Sequence, residues 1–562
     1  MLRTVLVAGA VALAAVCSGA ACSPVVRVFG GTGGHSGSTS GTGGTGGLSQ
    51  ACNAGDTRPC YGGPAGTEGV GICVGGTQAC ADGVWGSCVG EQQPTAEDCK
   101  TPADEDCNGV AEKCPLDTVW AKAYPVPSLG ASPPPIAVDP MGNIIYASGF
   151  TGTVDFGTGP MAPAGGSDIY VVKIDDTGAT QWARRYGDSA DQNAYAAATS
   201  TAGDVFVTGT FQGSVDFGNG APITSAGGDD AYLLKLTPTG ATTWVAFGGD
   251  ASSQTPTAVA AMPDGGAVIS GSFYGVLQFP GCAALTAPTS GSALFLTRFA
   301  PDGTCAASVT LGSMAGYPYV NQVTSDAAGN VYVAGEFSGT VSFPGFTATA
   351  LGSTDGFVAK LDGSSLFPAW VKTFGSAAMD AGDGVASGTS ISADANGNVL
   401  ITGYITDTVD VGGTMVSPLG PKSFLVAQLG PDGSTTWAKA FGNCGVSSVN
   451  SQMWGKLNAK GHVVLVGFFA GDVDFGGGDF MAFGAFDDAD GFLVELDGQG
   501  NHLASRHFGD STMIVLEALI SVGLDASDNI YGMGFALGQI DLGTGPLGTA
   551  GAVSLALARF AP

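Results

Sequence analysis

A four-part pattern repeats seven times between Asp117 and Pro562, and this repetition restricts the fold more than any other feature of the chain. The first column is tryptophan or its replacement, at Trp120, Trp182, Trp244, Ala307, Trp370, Trp437 and Leu503. The second column ends in glycine, at Gly149, Gly209, Gly271, Gly335, Gly403, Gly467 and Gly534. The third reads Val-Asp-Phe-Gly or a variant, and the fourth is an apolar run ending in pairs such as Lys173-Ile174. Each copy supplies four strands separated by glycine-containing turns, which predicts seven antiparallel meanders.

The phase of the repeat predicts a closed ring. The strand around Trp120 is the fourth strand of a meander without its first three, and the chain reaches Pro562 just after a third strand. The two segments complete one meander, which hides sheet edges that an open array would expose. We therefore expect an all-β fold, in which residues 117–562 form a seven-bladed β-propeller closed by an N-terminal strand and preceded by a small disulfide-rich module.

The first 116 residues have a different organisation. Residues 1–21 carry an early cation, an apolar run and small residues before Cys22, which is the pattern of an export signal. Residues 22–50 are a tether rich in Gly, Ser and Thr. Residues 51–116 hold eight of the thirteen cysteines, a density typical of an exported disulfide module whose connectivity the sequence leaves open. Cys282 and Cys305 lie in one repeat and are a further candidate pair, whereas Cys444 has no evident partner.

The export signal resembles that of a bacterial lipoprotein, in which a cysteine after small residues is acylated and becomes the new first residue. The resemblance implies lipidation at Cys22, with Cys17 as the alternative, although Gly19 stands where such signals usually have Leu. Ser23 replaces the Asp of an inner-membrane retention signal, which favours the outer membrane. We expect an exported protein that is lipid-anchored at the outer membrane or cell surface.

The repeat columns resemble the bacterial seven-bladed propeller repeat family called SBBP. Its motif looks like an apolar strand ending in Lys-Leu-Asp, then a tryptophan, then Gly-Asn-Val-Tyr-Val and a closing glycine. The resemblance covers residues 117–562, with departures at Ala307 and Leu503. It implies the propeller fold and an exported bacterial setting, and it carries no catalytic residues, since a repeat fold does not define one activity.

Charge and motifs exclude several functions. The formal net charge of −29 and the pI near 4.1 argue against nucleic acid and against anionic membrane surfaces, because both require clustered Lys and Arg. The four histidines have no metal-ligand spacing, and the sequence has neither a GxSxG nucleophile elbow nor a GxxxxGK[ST] phosphate loop. The expected partner is an extracellular protein or glycan, with membrane contact only through the lipid anchor.

Two groups of loop residues are candidates for a site. The fourth-to-first and second-to-third strand connections share one face of a propeller. The acidic candidates on this face are Asp188, Asp191, Asp250, Asp383 and Asp510. As general acid and base they would need one raised and one low pKa; the alternative is that they are solvated or cap turns. Three aromatic residues outside the columns, Tyr317, Tyr319 and Trp454, are candidates for glycan or peptide contact.

Metal binding is a separate hypothesis, with calcium as the candidate cofactor. The repeated Asp of Val-Asp-Phe-Gly is expected to cap its own turn rather than to bind a cation. The Asp487-Asp488-Ala-Asp490-Gly491 string lacks the spacing and closing Glu of an EF-hand. The candidate metal residues Asp104, Asp106 and Asn108 belong to a segment similar to acidic, cysteine-containing motifs of bacterial surface proteins. A disulfide-held acidic turn is the alternative there.

These observations favour a surface-anchored binding, recognition or scaffold protein whose propeller loop face meets an extracellular partner. Two alternatives stay open. One is an extracellular glycan-active enzyme that uses carboxylates of the loop face, and the other is a structural surface component without a discrete ligand. Small residues in the presumed inner strands, such as Ala196-Ala197-Ala198, argue for tight packing near the axis and against a charged catalytic cavity.

Overall fold

The computed structural model describes residues 52–95, 103–109, 115–127, 135–289, 291–313, 319–352, 354–376, 390–444, 451–481, 489–509 and 517–562. The chain divides into two compact units, Met1–Cys114 and Pro115–Pro562. Both units are all-β within these ranges, and no helix there is long and apolar enough to cross a membrane. The expected export signal and tether, with Cys17 and Cys22, lie outside the described residues.

In its described residues, the first unit is held together by disulfide bonds rather than by an apolar core. Its three strands, Thr57–Cys60, Gly76–Ala81 and Val84–Trp85, form one antiparallel sheet. The bonds join Cys52 to Cys80, Cys60 to Cys88 and Cys73 to Cys107. The predicted disulfide-rich region is confirmed, together with a connectivity that the sequence left open.

The described part of the second unit contains seven four-stranded antiparallel sheets. Six are meanders whose four strands pair in chain order. Sheet 1 has Ala137–Val138, Ile144–Phe150, Asp168–Ile174 and Thr180–Tyr186; sheet 2 has Gln192–Thr199, Val205–Phe211, Asp230–Leu236 and Thr242–Gly248; sheet 3 has Gln254–Ala261, Ala267–Phe273, Ala293–Phe299 and Cys305–Ser313. Sheet 4 has Tyr319–Ser325, Val331–Phe337, Asp355–Leu361 and Pro368–Phe374; sheet 5 has Ser390–Ala393, Val399–Ile405, Ser423–Leu429 and Thr435–Phe441; sheet 6 has Gln452–Leu457, Val463–Phe469, Asp490–Leu496 and His502–Phe508.

Sheet 7 joins the two ends of the unit, as the phase of the repeat predicts. Thr118–Pro125 is its fourth strand and pairs with Pro546–Phe560, which continues to Ile530–Asp541 and Glu517–Leu524. The backbone N–H of Ala561 donates to the carbonyl of Asp117 at 2.7 Å, in place of the turn that links these strands in the other sheets. The all-β propeller fold is thereby confirmed.

Several connections between second and third strands contain short additional strands, which pair with each other outside the four-stranded sheets. They are Ser214–Val215 with Ile223–Thr224, Val276–Leu277 with Leu285–Thr286, Thr340–Phe343 with Phe346–Thr349, Val409–Val411 with Thr414–Val416, and Gly471–Asp474 with Asp479–Met481. Asn443–Cys444, from the connection between sheets 5 and 6, pairs with Gly471–Asp474. The pairing of Cys282 with Cys305 links such a connection in sheet 3 to the fourth strand. This second candidate disulfide is also confirmed.

The core lies between neighbouring sheets. Second and third strands are almost wholly buried, as in Val205–Phe211 and Asp230–Leu236, because both of their faces are covered by adjacent sheets. First strands of successive sheets contact one another, which places them at the centre of the ring and the fourth strands at its rim. Fully buried Val, Leu, Tyr and Phe side chains fill the space between sheets.

The fourth-strand tryptophans connect each sheet to the next. The indole N–H groups of Trp120, Trp182, Trp244, Trp370 and Trp437 donate to the turn carbonyls of Asp176, Pro238, Pro301, Pro431 and Gly498, at 2.7 to 3.1 Å. Each ring covers a turn glycine, such as Gly240 at φ +78°, where a Cβ would collide with the indole. Ala307 has no ring at this position. The buried Leu366, from the turn of the next sheet, belongs to the apolar cluster against which Ala307 packs.

One column assignment was wrong. The strand register pairs Glu495 with Ala504, as it pairs Lys173 with Trp182, so Ala504 and not Leu503 stands at the tryptophan position of sheet 6. Leu503 occupies the bulge between the paired residues and is 48% exposed. A bulge adds a residue that apolar spacing alone does not reveal.

Candidate functional site

The loop face is the face of the second unit that carries the fourth-to-first and second-to-third strand connections. Asp188 lies in the connection between sheets 1 and 2. Its carboxylate accepts the backbone N–H groups of Ala190 and Ser214, each at 2.8 Å, and the side-chain amide of Gln192 at 2.7 Å. Gln192 is fully buried, and its amide also donates to the carbonyl of Gln212 at 3.0 Å. Asp188 therefore ties two connections of the loop face together.

Asp250 repeats this arrangement one sheet later. Its carboxylate accepts the backbone N–H groups of Ser252 and Val276 at 2.7 Å and the amide of Gln254 at 2.9 Å. Gln254 is fully buried, like Gln192. The shared geometry shows that an Asp with Gln four residues later is a structural brace of this fold.

The braces keep both carboxylates ionised. Burial opposes the charged form, but hydrogen bonds from Ser214, Ala190 and Gln192 outweigh it and lower the pKa of Asp188 below its ordinary 3.8. Burial likewise opposes ionisation of Asp250, and its donors, beginning with the N–H groups of Ser252 and Val276, lower its pKa. Neither side chain is suited to hold a proton near neutral pH, as a general acid must.

The remaining acidic candidates are less constrained. Asp191 shares the connection of Asp188, is exposed, and accepts the backbone N–H of Ser167 at 2.9 Å. Asp383 and Asp510 lie outside the described residues, as does Tyr317. The structure thus gathers Asp188 and Asp191 in one loop and Asp250 in the next.

The two described aromatic candidates have different environments. Tyr319 begins the first strand of sheet 4 and is 45% exposed. Partial burial raises its pKa, with a further contribution from the negative charge of Glu336. Trp454 lies within the first strand of sheet 6, where it packs on Phe468 and on Ala518 of sheet 7. Trp454 is therefore a packing residue between sheets, whereas Tyr319 is accessible.

The sequence reasoning missed Tyr274, which follows the second strand of sheet 3 and is 48% exposed. The equivalent residues in the other repeats are Thr151, Gln212, Ser338, Thr406, Ala470 and Leu537. Tyr274 is the one aromatic residue of this column, which is the signal that would have found it. Exposed Leu351 and Leu419 lie on the same face, just before the third strands of sheets 4 and 5. We call Tyr274, Tyr319, Leu351 and Leu419 the apolar sector.

A second missed group is the Asp that opens several third strands. Asp168, Asp230, Asp355 and Asp490 are almost completely buried. Asp168 pairs with Arg185, and Asp490 lies 2.8 Å from Nε2 of His507. In sheet 2 the residue at the position of Arg185 is Phe247, which carries no charge, and Oδ1 of Asp230 has no hydrogen-bond partner among the described residues. Burial raises the pKa of Asp230 and of Asp355.

The repeated Asp of the third column caps its own turn, as predicted. The carboxylates of Asp155, Asp216, Asp410, Asp474 and Asp541 accept backbone N–H groups of Gly157, Gly218, Gly413, Gly476 and Gly543 at 2.6 to 2.8 Å. These contacts are those of Asx turns. The residues thus have a structural role at every one of these positions.

The candidate metal residues of the first unit also bind backbone. Asp104 accepts the N–H groups of Asn108 at 3.1 Å and Gly109 at 2.9 Å, and Asp106 accepts the side-chain amide of Asn108 at 2.9 Å. Within the described ranges no group of three or more His, Cys, Asp or Glu side chains is arranged to hold a metal ion. The calcium hypothesis stays a prediction.

Comparison with known proteins adds little beyond the fold. No family model matches the chain, and no curated protein matches it. Among solved structures, the β-propeller protein BamB from Moraxella catarrhalis is 14% identical over 79% of this chain and 99% of that chain, with a TM-score of 0.32. Quinohemoprotein alcohol dehydrogenase from Comamonas testosteroni is 12% identical over 79% and 76%, with a TM-score of 0.34. Similarities this low say nothing about ligand or activity.

Proposed function

We propose that the protein is an exported, surface-anchored recognition or scaffold protein whose loop face presents the apolar sector to an extracellular protein or glycan. One observation carries this proposal. The carboxylates of Asp188 and Asp250 accept hydrogen bonds within the loop face, which supports a structural role for them in a rigid surface.

This observation weighs against the glycan-active alternative. A glycosidase needs one protonated carboxyl group beside an ionised one, and environments that push their pKa values apart. Asp188 and Asp250 instead share one environment, and both have lowered pKa values. Recognition needs only a rigid surface, which these braces supply.

The apolar sector supports recognition in a second way. Its residues belong to consecutive sheets, 3 to 5, and two of them are tyrosines. Tyrosine offers an apolar ring and a hydroxyl, a combination suited to sugar rings and to peptide side chains. Tyr274 is tied to one of the braces, because its carbonyl accepts the side-chain amide of Gln254 at 3.1 Å, so its backbone has little entropy left to lose on binding.

The proposal also includes the lipid anchor, the cellular location and the repeat family of the protein. Lipidation at Cys22, location at the outer membrane or cell surface and membership of the SBBP repeat family all rest on sequence resemblance. The disulfide bonds of the first unit support export, because such bonds persist in oxidising compartments.

Glycan and peptide arrays probed with the full chain test the recognition role. The Tyr274→Ala, Tyr319→Ala double variant should bind any hit at least about tenfold more weakly, because two exposed rings of the contact surface are removed. Phe367→Ala is the matched control: Phe367 is 57% exposed but lies in a turn on the opposite face. Equal binding by all three proteins would contradict the proposal. Release of sugar from a bound glycan, abolished by Asp250→Asn, would establish the enzyme instead.

Fatty-acid labelling during expression in a bacterial host tests the anchor separately. The wild-type chain and Cys17→Ser should incorporate label, whereas Cys22→Ser should not. Label retained in Cys22→Ser and lost in Cys17→Ser would move the anchor to Cys17, and no label in any chain would remove it from the proposal.

A further inference from the structure

Lysines of the fourth sequence column reach turn carbonyls of the next sheet. Nζ of Lys235, in sheet 2, donates to the carbonyl of Gly265 at 3.0 Å and lies 3.5 Å from that of Pro301, both in turns of sheet 3. Two other pairs of sheets have the same contact, from Lys173 to Pro238 at 3.5 Å and from Lys360 to Pro431 at 3.2 Å. A primary ammonium group therefore occupies three of the junctions between sheets.

Arg298 has the same column position in sheet 3 but makes a different contact. It pairs with the second strand of its sheet in the register that Lys235 has in sheet 2. Its guanidinium forms an ion pair with Asp264 of its own sheet, and none of its hydrogen bonds to described residues goes to a turn of sheet 4. Its buried Nε has no partner there either. The junction between sheets 3 and 4 thus lacks the ammonium found at its neighbours.

Two carbonyl groups of sheet 4 lose their donors as a result. The carbonyls that correspond to those of Gly265 and Pro301 belong to Gly329 and Gly363, at the same positions of their turns. In the other sheets an indole N–H also reaches the turn carbonyl, but sheet 3 has Ala307 in place of the tryptophan. Neither carbonyl accepts a hydrogen bond from any residue that the structure describes.

Arg298 and these two turns of sheet 4 line one cavity. Its volume is about 270 Å³, and its walls include Asp264, Arg298, Gly329 and Gly363. The two turns are in contact, because a Cβ on Gly363 would lie 1.8 Å from the carbonyl oxygen of Gly329. The volume is several times the roughly 30 Å³ that one water molecule occupies in the liquid. The cavity therefore has room for a short organic molecule.

The charges around the cavity favour a cation. Its charged lining residues are Asp264, Arg298 and Asp362, so one negative charge is left when Asp264 and Arg298 neutralise each other. Hydrogen bonds from Ser364 and Ser365 lower the pKa of Asp362 to about 2, which keeps this carboxylate ionised at neutral pH. These bonds all go to Oδ1, so Oδ2 stays available to a ligand.

We propose that this cavity binds the ammonium group of a primary amine, with the carbonyls of Gly329 and Gly363 as acceptors and the carboxylate of Asp362 as counter-charge. The contact repeats the one that Nζ of Lys235 makes one sheet earlier, with a ligand in place of the side chain. The site lies among the turns opposite the loop face and does not depend on the proposed function. A free amine and the lysine side chain of a peptide share this chemistry.

Calorimetric titration of the full chain tests the site. Propylammonium chloride and tetramethylammonium chloride are titrated separately at ionic strength matched with sodium chloride. We expect saturable heat from propylammonium and none from tetramethylammonium, which has the charge but no N–H donor. Equal heats from the two ions, or no heat from propylammonium, would overturn the proposal. Saturable heat from Nα-acetyl-lysine amide as well would assign the site to lysine side chains and free amines alike, and its absence would assign the site to free amines.

A pair of variants locates the binding. Arg298→Lys introduces the residue of sheets 1, 2 and 4, whose own ammonium is expected to reach the two turn carbonyls, so propylammonium should bind at least about tenfold more weakly. Arg559→Lys is the matched control in sheet 7, where Trp120 and Arg559 both donate to the turn carbonyl of Asp176. Its binding should equal that of the wild type. Undiminished binding by Arg298→Lys would overturn the proposal, and the comparison of the two ammonium ions decides it even where this variant unfolds.

Discussion

The two units of the chain reach stability by opposite routes. In the described part of the first unit, the buried hydrophobic residues are the cystine halves Cys73, Cys80 and Cys107. The second unit has one disulfide in its described residues, and its sheets are joined by extended apolar clusters. A short segment rich in glycine cannot bury enough apolar surface to order itself, so covalent bonds replace the core. Repeated sheets bury each other and need no such bonds.

The largest expected effect is loss of the first unit on removal of its disulfides. Cys73→Ser with Cys107→Ser should cost about 2–5 kcal/mol, enough to unfold a small module. Limited proteolysis should then cut within residues 52–109 while the second unit stays intact. Cys282→Ser with Cys305→Ser is the matched control and should leave the protease pattern unchanged. Resistance of the Cys73 and Cys107 variant to protease would contradict the difference between the units.

A smaller effect is expected from Trp182→Ala, which tests packing in the second unit. Trp182 is 7% exposed and donates to the carbonyl of Pro238, so its removal should cost about 3–4 kcal/mol. Urea unfolding followed by fluorescence and circular dichroism measures the loss. Leu503→Ala, at an exposed site, should change stability by under about 0.5 kcal/mol. A small loss for both variants would show that the sheet-to-sheet contacts contribute less than the structure indicates.

The smallest effect is a pH dependence of opposite sign at two carboxyl groups. Burial raises the pKa of Asp230, so its contribution to stability is full below 3.8 and is lost as pH rises through the raised value. The stability of the wild type relative to Asp230→Asn should therefore fall as pH rises above 3.8. Asp250 has a lowered pKa, so the wild type should gain relative to Asp250→Asn as pH rises towards 3.8. Parallel curves for both variants would contradict these assignments.

Much of the fold could be predicted from the repeats. Four columns in constant phase predict four strands per repeat, and their phase at the two ends predicts the sheet that joins Trp120 to Arg559. The β-bulges of the first strands could not be predicted from the sequence. First strands bulge at Tyr195, Thr257, Asn321 and Ile520, but the first strand of sheet 6 is regular. Trp454 lies inside this regular strand, paired with Val466, where spacing alone suggested a loop.

The candidate site could be predicted only in part. The sequence identified Asp188 and Asp250 as candidates, and it also shows a Gln four residues after each of them. What spacing does not show is that the glutamine is buried and that Ser214 or Val276 supplies a donor from a distant loop. Those contacts decide whether a carboxylate braces a surface or performs chemistry.

Titration of Asp188 and Asp250 tests the central claim most directly, since the claim is that loop-face carboxylates brace a recognition surface. Selective ¹³C labelling of aspartate carboxyl groups allows each to be followed by NMR, with Asp188→Asn and Asp250→Asn assigning the signals. Both groups should stay ionised until the pH falls below 3.8, as their lowered pKa values require. A midpoint above about 5 for either group would give it the proton of a general acid and contradict the account.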